Sequence, residues 1–276
     1  MQLGELVEVL ALHPEIDVLA KELSKKREKH FLLSNLHASA QSIMLYEVMR
    51  REARVWVIVL DNADEAQYMY ADLRSLTGDN GVYFFPSSHR RRQGMDEAMA
   101  VQRTEVLTAL VGERREAKGE RLEARIIVTY PEALNESVPA PHSLQQQTIP
   151  LATEQEIAQS ALIQQLIEMQ FQRVDFVYEP GQFAVRGGIV DVFSFAHESP
   201  YRVDFFGDEI DSIREFDIET QLSQDRLTSI QIVGHQDQQT QEALLIDYLP
   251  ESTIWASNDF ALVRYKSTDE RLKTLG

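Results

Sequence analysis

Short apolar runs alternate with amphipathic stretches along the first half of the chain. Apolar runs of strand length occur at Val55–Leu60, Gly81–Phe85 and Ala124–Thr129. Continuous apolar runs of this length are typical of strands that are buried on both faces of a sheet. Helical periodicity fills the segments between them, at Ala63–Leu76 and Met95–Val111. Strands that alternate with helices at this spacing predict a parallel α/β sheet.

A further strand, loop and helix precede this region. His30–Ser34 is a short apolar run and predicts a strand, Asn35–Ala40 predicts a loop, and Gln41–Arg51 predicts a helix. These three elements in this order form the place where an α/β nucleotide-binding fold holds phosphates.

The second half of the chain changes to a period of two, which predicts a smaller, β-rich α+β domain. Thr153 and Glu156 have the spacing of a capping box and predict a helix at Glu154–Met169. Pro180-Gly181 predicts a turn, because proline fixes φ and glycine accepts a positive φ. Four strands are predicted after this turn, at Phe183–Arg186, Ile189–Phe193, Tyr201–Phe206 and Glu209–Phe216.

The predicted strand Tyr201–Phe206 has two chemically different faces. Side chains alternate between the faces of a strand, so its odd-numbered aromatic and apolar residues predict a core face, whereas Arg202, Asp204 and Phe206 share the other face. Arginine and aromatic residues are enriched at the energetic centres of protein interfaces. A simpler interpretation is also open, in which Phe206 packs beneath a helix and Arg202 pairs with Asp204 or another nearby acid.

Composition excludes several classes of function. The chain has 276 residues, no cysteine and a formal net charge of −17. Without cysteine there is no disulfide framework and no thiolate metal site, which fits a reducing cytoplasm. A strongly acidic chain is a poor general binder of nucleic acid, because phosphate contacts need clustered lysine and arginine. No apolar run approaches the length of a membrane span.

Shifts in composition predict three segments. The stretch Ala140–Gln147 is polar and follows Pro139, which predicts a boundary near residue 147. We therefore expect an α/β domain at 1–147, the β-rich domain at 148–234 as an insertion, and a segment at 235–276 that returns to the first domain. The polar end of the chain, Lys266–Gly276, predicts that this last segment is truncated.

The β-rich segment resembles a known family over a dense set of residues. It is similar to the second domain of the N-terminal UvrB-homology module of bacterial transcription-repair coupling factors (Mfd), a module that also occurs in the excision-repair helicase UvrB. The matching residues are Pro180-Gly181-Gln182-Phe183, Val185-Arg186-Gly187-Gly188-Ile189-Val190-Asp191-Val192-Phe193, Pro200-Tyr201-Arg202-Val203-Asp204-Phe205-Phe206-Gly207-Asp208-Glu209-Ile210 and Phe216-Asp217. Less detailed similarity extends over nearly the whole chain and implies a P-loop-like first domain.

The resemblance also implies that the loop after His30–Ser34 no longer binds nucleotide. A working P-loop needs glycines, a lysine on the phosphates and a Ser or Thr hydroxyl on Mg²⁺. Compared with UvrB, Ser34 and Ser39 stand where the outer glycines are, Ala40 replaces the lysine, and Gln41 replaces the Ser or Thr. We therefore expect no ATP hydrolysis, no cofactor and no metal in this chain.

The family resemblance implies a protein partner instead. In coupling factors, this module recruits UvrA in nucleotide excision repair through two arginines and an aromatic residue, which correspond to Arg186, Arg202 and Phe206. Contacts with RNA polymerase and double-stranded DNA are implied only for other regions of the full-length protein, which would be an ATP-dependent DNA translocase.

Two other functions are kept as alternatives. One is a UvrB-like, helicase-related ATPase that acts on DNA, and the other is a scaffold that only supports the rest of a longer chain. The basic residues Arg90–Arg92 form a candidate DNA contact, although a solvated loop is the simpler interpretation.

Overall fold

A computed structural model describes residues 12–25, 30–36, 39–78, 81–88, 95–116, 125–234 and 241–275. The chain divides into two compact units. The parallel-sheet unit comprises Met1–Ser88, Glu113–Glu136 and Tyr248–Gly276, and the β-rich unit comprises His89–Gly112 and Ser137–Asp247. The segment bounds predicted at residues 147 and 234 stay predictions.

The elements of the first half are, in chain order, α1 (Pro14–Leu23), α2 (Ser39–Met49), β1 (Val55–Val59), α3 (Ala63–Thr77), β2 (Val82–Phe84), α4 (Met95–Glu116), β3 (Arg125–Thr129), α5 (Pro131–Leu134), β4 (Val138–Pro139) and α6 (Pro141–Gln146). Those of the second half are β5 (Thr148–Ala152), α7 (Gln159–Glu168), β6 (Gln172–Arg173), β7 (Gln182–Arg186), β8 (Ile189–Val192), β9 (Tyr201–Phe206), β10 (Glu209–Phe216), β11 (Ser223–Leu227), β12 (Ser229–Val233), β13 (Gln241–Ala243), a 3₁₀ turn (Leu245–Tyr248), β14 (Ile254–Ser257), α8 (Phe260–Lys266) and α9 (Glu270–Lys273).

The parallel-sheet unit contains a four-stranded sheet in the order β14-β1-β3-β2. Every pairing in it is parallel, and Val57 in the central strand β1 lies opposite both Trp255 and Ile127. All five residues of β1 are buried, as its continuous apolar sequence predicts. The predicted parallel α/β sheet is confirmed.

The strand predicted at His30–Ser34 is wrong. These residues have no regular structure, and Phe31, Leu32 and Leu33 are 40%, 95% and 45% exposed. Apolar composition alone cannot make a strand, because its backbone groups need a neighbouring strand to pair with. Within the described residues, this segment pairs with no strand of the sheet.

The β-rich unit is built on a six-stranded sheet in the order β11-β10-β9-β8-β7-β6. The strands from β7 to β11 are antiparallel, and the four strands predicted from period-two patterning are confirmed. One face packs on a core that also receives α7 and the β5–β12 pair. The large buried members of that core include Leu151, Leu162, Leu166, Phe183, Val190, Val203, Ile213 and Ile232. The opposite face, called the outer face below, holds a smaller cluster of Val177, Ala184, Phe193 and Phe216.

The predicted capping box is also wrong, because α7 begins at Gln159 rather than near Glu154. The backbone of residues 154–157 forms hydrogen bonds with the sheet instead. The N–H groups of Glu154 and Ile157 donate to the carbonyl groups of Ile210 and Asp208, at 2.8 Å each. Glu154 accordingly has a φ of 65°, which a helix cannot contain. Long-range backbone pairing therefore takes precedence over a local helix signal.

Gly181 is a position in the β-rich unit where an added side chain would clash. Its φ is +85°, and a Cβ atom there would lie 2.5 Å from Cζ of Phe195. We expect Gly181→Ala to lower the free energy of unfolding by about 2–4 kcal/mol, since backbone strain and overpacking add. Gly187 is the matched control, because its φ is +61° but a Cβ atom there would meet nothing within 4 Å. Urea unfolding of the two alanine variants should show the smaller loss for Gly187→Ala, and equal losses would contradict this packing.

Candidate protein-interaction site

The outer face brings together charged residues from four neighbouring strands. In the strand register, Asp191 of β8 lies opposite Arg202 of β9, and Arg202 lies opposite Arg214 of β10. Arg186 ends β7 on the same face. The alternation predicted for β9 is confirmed, because its core-facing residues are buried or half-buried while Arg202 and Phe206 face outward.

Asp191 is the centre of this arrangement, and its side chain is only 1% exposed. Arg202 donates to it through two atoms, from Nε to Oδ1 at 2.7 Å and from Nη2 to Oδ2 at 3.0 Å. Arg186 donates from Nη2 to the same Oδ2. A buried carboxylate needs such compensation, because an unpaired charge in the interior is costly. Asp191 therefore holds both arginines in place.

Arg202 is almost fully engaged within the chain. Its Nη1 donates to the backbone oxygen of Gln221 at 3.2 Å and to Oγ of Ser223 at 3.3 Å. Its guanidinium carbon lies 4.6 Å from the centre of the Phe216 ring, within the range of a cation–π contact. The hydrogen bonds to Asp191 raise the pKa of Arg202 above its usual value. Its guanidinium is thus a fixed part of the outer face.

Arg186 is more accessible, with 38% of its side chain exposed. Its guanidinium carbon lies 5.3 Å from the centre of the Phe176 ring, which is itself 48% exposed. Arg186 therefore presents a partly free guanidinium beside an exposed aromatic ring.

A second polar cluster, of Asp204, Ser212 and Arg214, lies next to the cluster around Asp191. Oγ of Ser212 donates to Asp204 at 3.0 Å, and Nη2 of Arg214 donates to the same Oγ at 3.2 Å. Arg214 also lies 3.7 Å from Asp204, within ion-pair distance. Asp191 and Asp204 thus each have an arginine partner within this chain.

Phe206 is 84% exposed at the end of β9, so the interpretation that it packs beneath a helix is wrong. It lies opposite Glu209 across the tight turn at Gly207-Asp208. An open groove of about 620 Å³ lies beside it, lined by Glu156, Ile157, Ala158, Phe206, Asp208 and Glu209. A large exposed ring next to a groove is typical of a binding surface.

The sequence did not single out Asp191 as the partner of both arginines. The sequence does show that Asp191 is a charged residue between the apolar residues Val190 and Val192. A carboxylate in such a strand needs a cationic partner when it is buried. The strand register was needed to identify which cation. The groove could not be predicted either, since its lining residues come from two segments about fifty residues apart, 156–158 on one side and Phe206, Asp208 and Glu209 on the other.

The proposed nucleotide loop is only partly described. Ser34 is exposed and outside regular structure, whereas Ser39, Ala40 and Gln41 form the start of α2. Nε2 of Gln41 donates to the backbone oxygen of Leu36 at 3.3 Å. His37 and Ala38 lie outside the described residues, as do Arg90–Arg92, so the loss of nucleotide binding and the DNA contact both stay predictions.

We expect ATP with Mg²⁺ to show no saturable binding in isothermal titration at concentrations up to about 1 mM. The physical reason is that Ala40 supplies no cation to offset the phosphate charge. A P-loop ATPase titrated in the same buffer serves as the positive control. Saturable heat with one site per chain would contradict the interpretation of this loop.

None of the described helices has the length and apolar character needed to cross a membrane. The described part of the chain also contains no group of three or more histidine or acidic side chains placed to hold a metal ion.

Comparison with known proteins places this face in a recognised domain. Residues 149–237 match the UvrB interaction domain. The chain is 29% identical over 207 residues to the transcription-repair-coupling factor of Bacillus subtilis, and the match covers 74% of this chain and 17% of that protein. It is 26% identical over 195 residues to the UvrABC system protein B of Nitratidesulfovibrio vulgaris, covering 67% of this chain and 28% of that protein.

The chain thus spans less than a third of the length of these relatives. The matched domain contains the six-stranded sheet, both arginines, Asp191 and Phe206. The chain is thus similar to a part of transcription-repair-coupling factors and of UvrABC system protein B, which supports a UvrB-homology module, and its residues 149–237 match the UvrB interaction domain.

Proposed function

We propose that this chain is a non-catalytic, protein-binding module that recruits UvrA to stalled transcription complexes in nucleotide excision repair. In this proposal, it is the N-terminal part of a transcription-repair coupling factor, and residues 148–234 form its UvrA-binding domain. The observation that carries the proposal is the 84% exposure of Phe206 on the outer face of a UvrB interaction domain. Recruitment would take place in the cytoplasm, which a cysteine-free chain suits.

Phe206 would be the anchor of the interface. An aromatic side chain buries about 150–250 Å² when it enters a pocket, and such rings dominate many interfaces. The ring stands on a rigid antiparallel strand, so little conformational entropy is lost on binding. Arg202 would shape the surface from within, and Arg186 would contact UvrA directly with its partly exposed guanidinium.

The alternative of a UvrB-like ATPase is favoured by one observation, the 26% identity to a UvrABC system protein B. The residue types at three positions oppose it, because Ser34 stands in place of a glycine, Ala40 in place of the lysine and Gln41 in place of the Ser or Thr hydroxyl. Binding of RNA polymerase and of double-stranded DNA is proposed only for parts of a longer protein outside this chain.

A titration of the 276-residue chain into purified UvrA tests the proposal. We expect saturable one-site binding with a dissociation constant in the micromolar range or below, since a standard interface with one strong anchor reaches about 8 kcal/mol. No binding at about 50 µM would contradict the proposal and would favour a scaffold role.

A further inference from the structure

The groove beside Phe206 is lined by apolar and acidic residues, and its three acids are called the rim below. Ile157 and Ala158 are half-buried in it, and the ring of Phe206 stands at one side. Glu156, Asp208 and Glu209 complete the lining, and all three are exposed.

This groove is held in shape by backbone pairing between two distant segments. Glu156 forms an antiparallel bridge with Glu209, and N–H of Ile157 donates to the backbone oxygen of Asp208 at 2.8 Å. N–H of Ile210 donates to the backbone oxygen of Gln155 at 3.1 Å. The carboxylates therefore project from a fixed wall, and a partner meets them already placed.

Free charge is distributed unevenly around Phe206. Arg186, Arg202 and Arg214 of the outer face are paired with Asp191 or Asp204. In contrast, Glu156, Asp208 and Glu209 form no ion pair with any residue that the structure describes. The charge that a partner meets nearest the exposed ring is consequently negative.

We propose that this groove receives a lysine- or arginine-bearing segment of UvrA, an inference that rests on the proposed function. The cation pairs with the carboxylates of the rim, while its aliphatic stem lies along Ile157 and the face of Phe206. The acids steer a basic surface toward the groove and raise the rate of association. A nucleic acid would be repelled by this rim, and its carboxylates are not grouped as the ligands of a metal ion.

The test is a stopped-flow measurement of association with UvrA at two ionic strengths, about 50 and 300 mM salt. The variant replaces all three carboxylates by their amides, Glu156→Gln, Asp208→Asn and Glu209→Gln, which removes charge and keeps shape. The matched control removes the same charge from exposed acids that do not line the groove, by Glu168→Gln, Glu198→Gln and Asp225→Asn. We expect the groove variant to associate about tenfold more slowly at low salt and to lose most of its salt dependence, whereas the control changes less than about twofold.

The outcomes separate this inference from the proposed function. If the groove variant associates like the wild-type chain while Phe206→Ala has lost binding, the inference is overturned and the proposed function stands. Faster association of the groove variant would also overturn it, because the facing surface would then be acidic. If the wild-type chain does not bind UvrA at all, the proposed function and the inference fall together.

Discussion

Replacing Phe206 by alanine is expected to weaken binding of UvrA by about thirtyfold or more, which corresponds to about 2 kcal/mol. The ring is 84% exposed in the free chain, so its removal costs almost no internal packing. The free energy of unfolding should therefore stay within about 0.5 kcal/mol of the wild-type value. Titration of UvrA measures the first quantity, and urea unfolding of the same preparations measures the second.

Tyr265 provides a matched control for this variant. It is an aromatic residue that is 88% exposed, and it belongs to the parallel-sheet unit. Tyr265→Ala should leave binding of UvrA unchanged. Equal loss of affinity in both variants, or none in either, would mean that Phe206 is not the anchor.

Replacing Asp191 by alanine is expected to lower the free energy of unfolding by about 3–5 kcal/mol, the range measured when one partner of a buried ion pair is removed. The substitution leaves Arg202, whose side chain is 14% exposed, without its two-point carboxylate partner. It also frees Arg186 from its contact with the same oxygen. Urea unfolding monitored by circular dichroism measures the change.

Asp204→Ala serves as the comparison for this variant. The side chain of Asp204 is 23% exposed, and Arg214 lies 3.7 Å away. Water can therefore solvate Arg214 when the carboxylate of Asp204 is removed. Asp204→Ala should lower the free energy of unfolding by about 1 kcal/mol. A cost for Asp191→Ala no larger than that would show that the pairing at Asp191 does not organise the outer face.

This pairing also bears on how variants of Arg202 are interpreted. Arg202→Glu would place a second carboxylate beside buried Asp191, where the guanidinium nitrogens now lie 2.7 and 3.0 Å from the carboxylate oxygens. Loss of UvrA binding in that variant would report damage to the sheet as much as loss of a contact. Phe206→Ala is the cleaner probe for this reason.

The parts of the fold predicted correctly are those that local patterning controls. Continuous apolar runs predicted β1 and β3, and the period of two placed Arg202 and Phe206 on one face of β9. Both signals depend only on near neighbours in the sequence.

The parts predicted wrongly depend on distant pairing. Thr153 and Glu156 carry a helix signal, yet the backbone around them pairs with β10, more than fifty residues away. His30–Ser34 carries a strand signal but has no strand partner among the described residues. The double pairing of Asp191 likewise required the register of β7, β8 and β9, which no single strand reveals.

The proposed function depends most on direct contact between Phe206 and UvrA. A photo-crosslinking amino acid of benzophenone type at position 206 tests this contact, because the aromatic analogue fits a site that is 84% exposed. The same substitution at Tyr265 is the control. We expect a crosslink to UvrA from position 206 and none from position 265. Efficient binding of UvrA by the labelled chain without a crosslink from position 206 would contradict this direct contact.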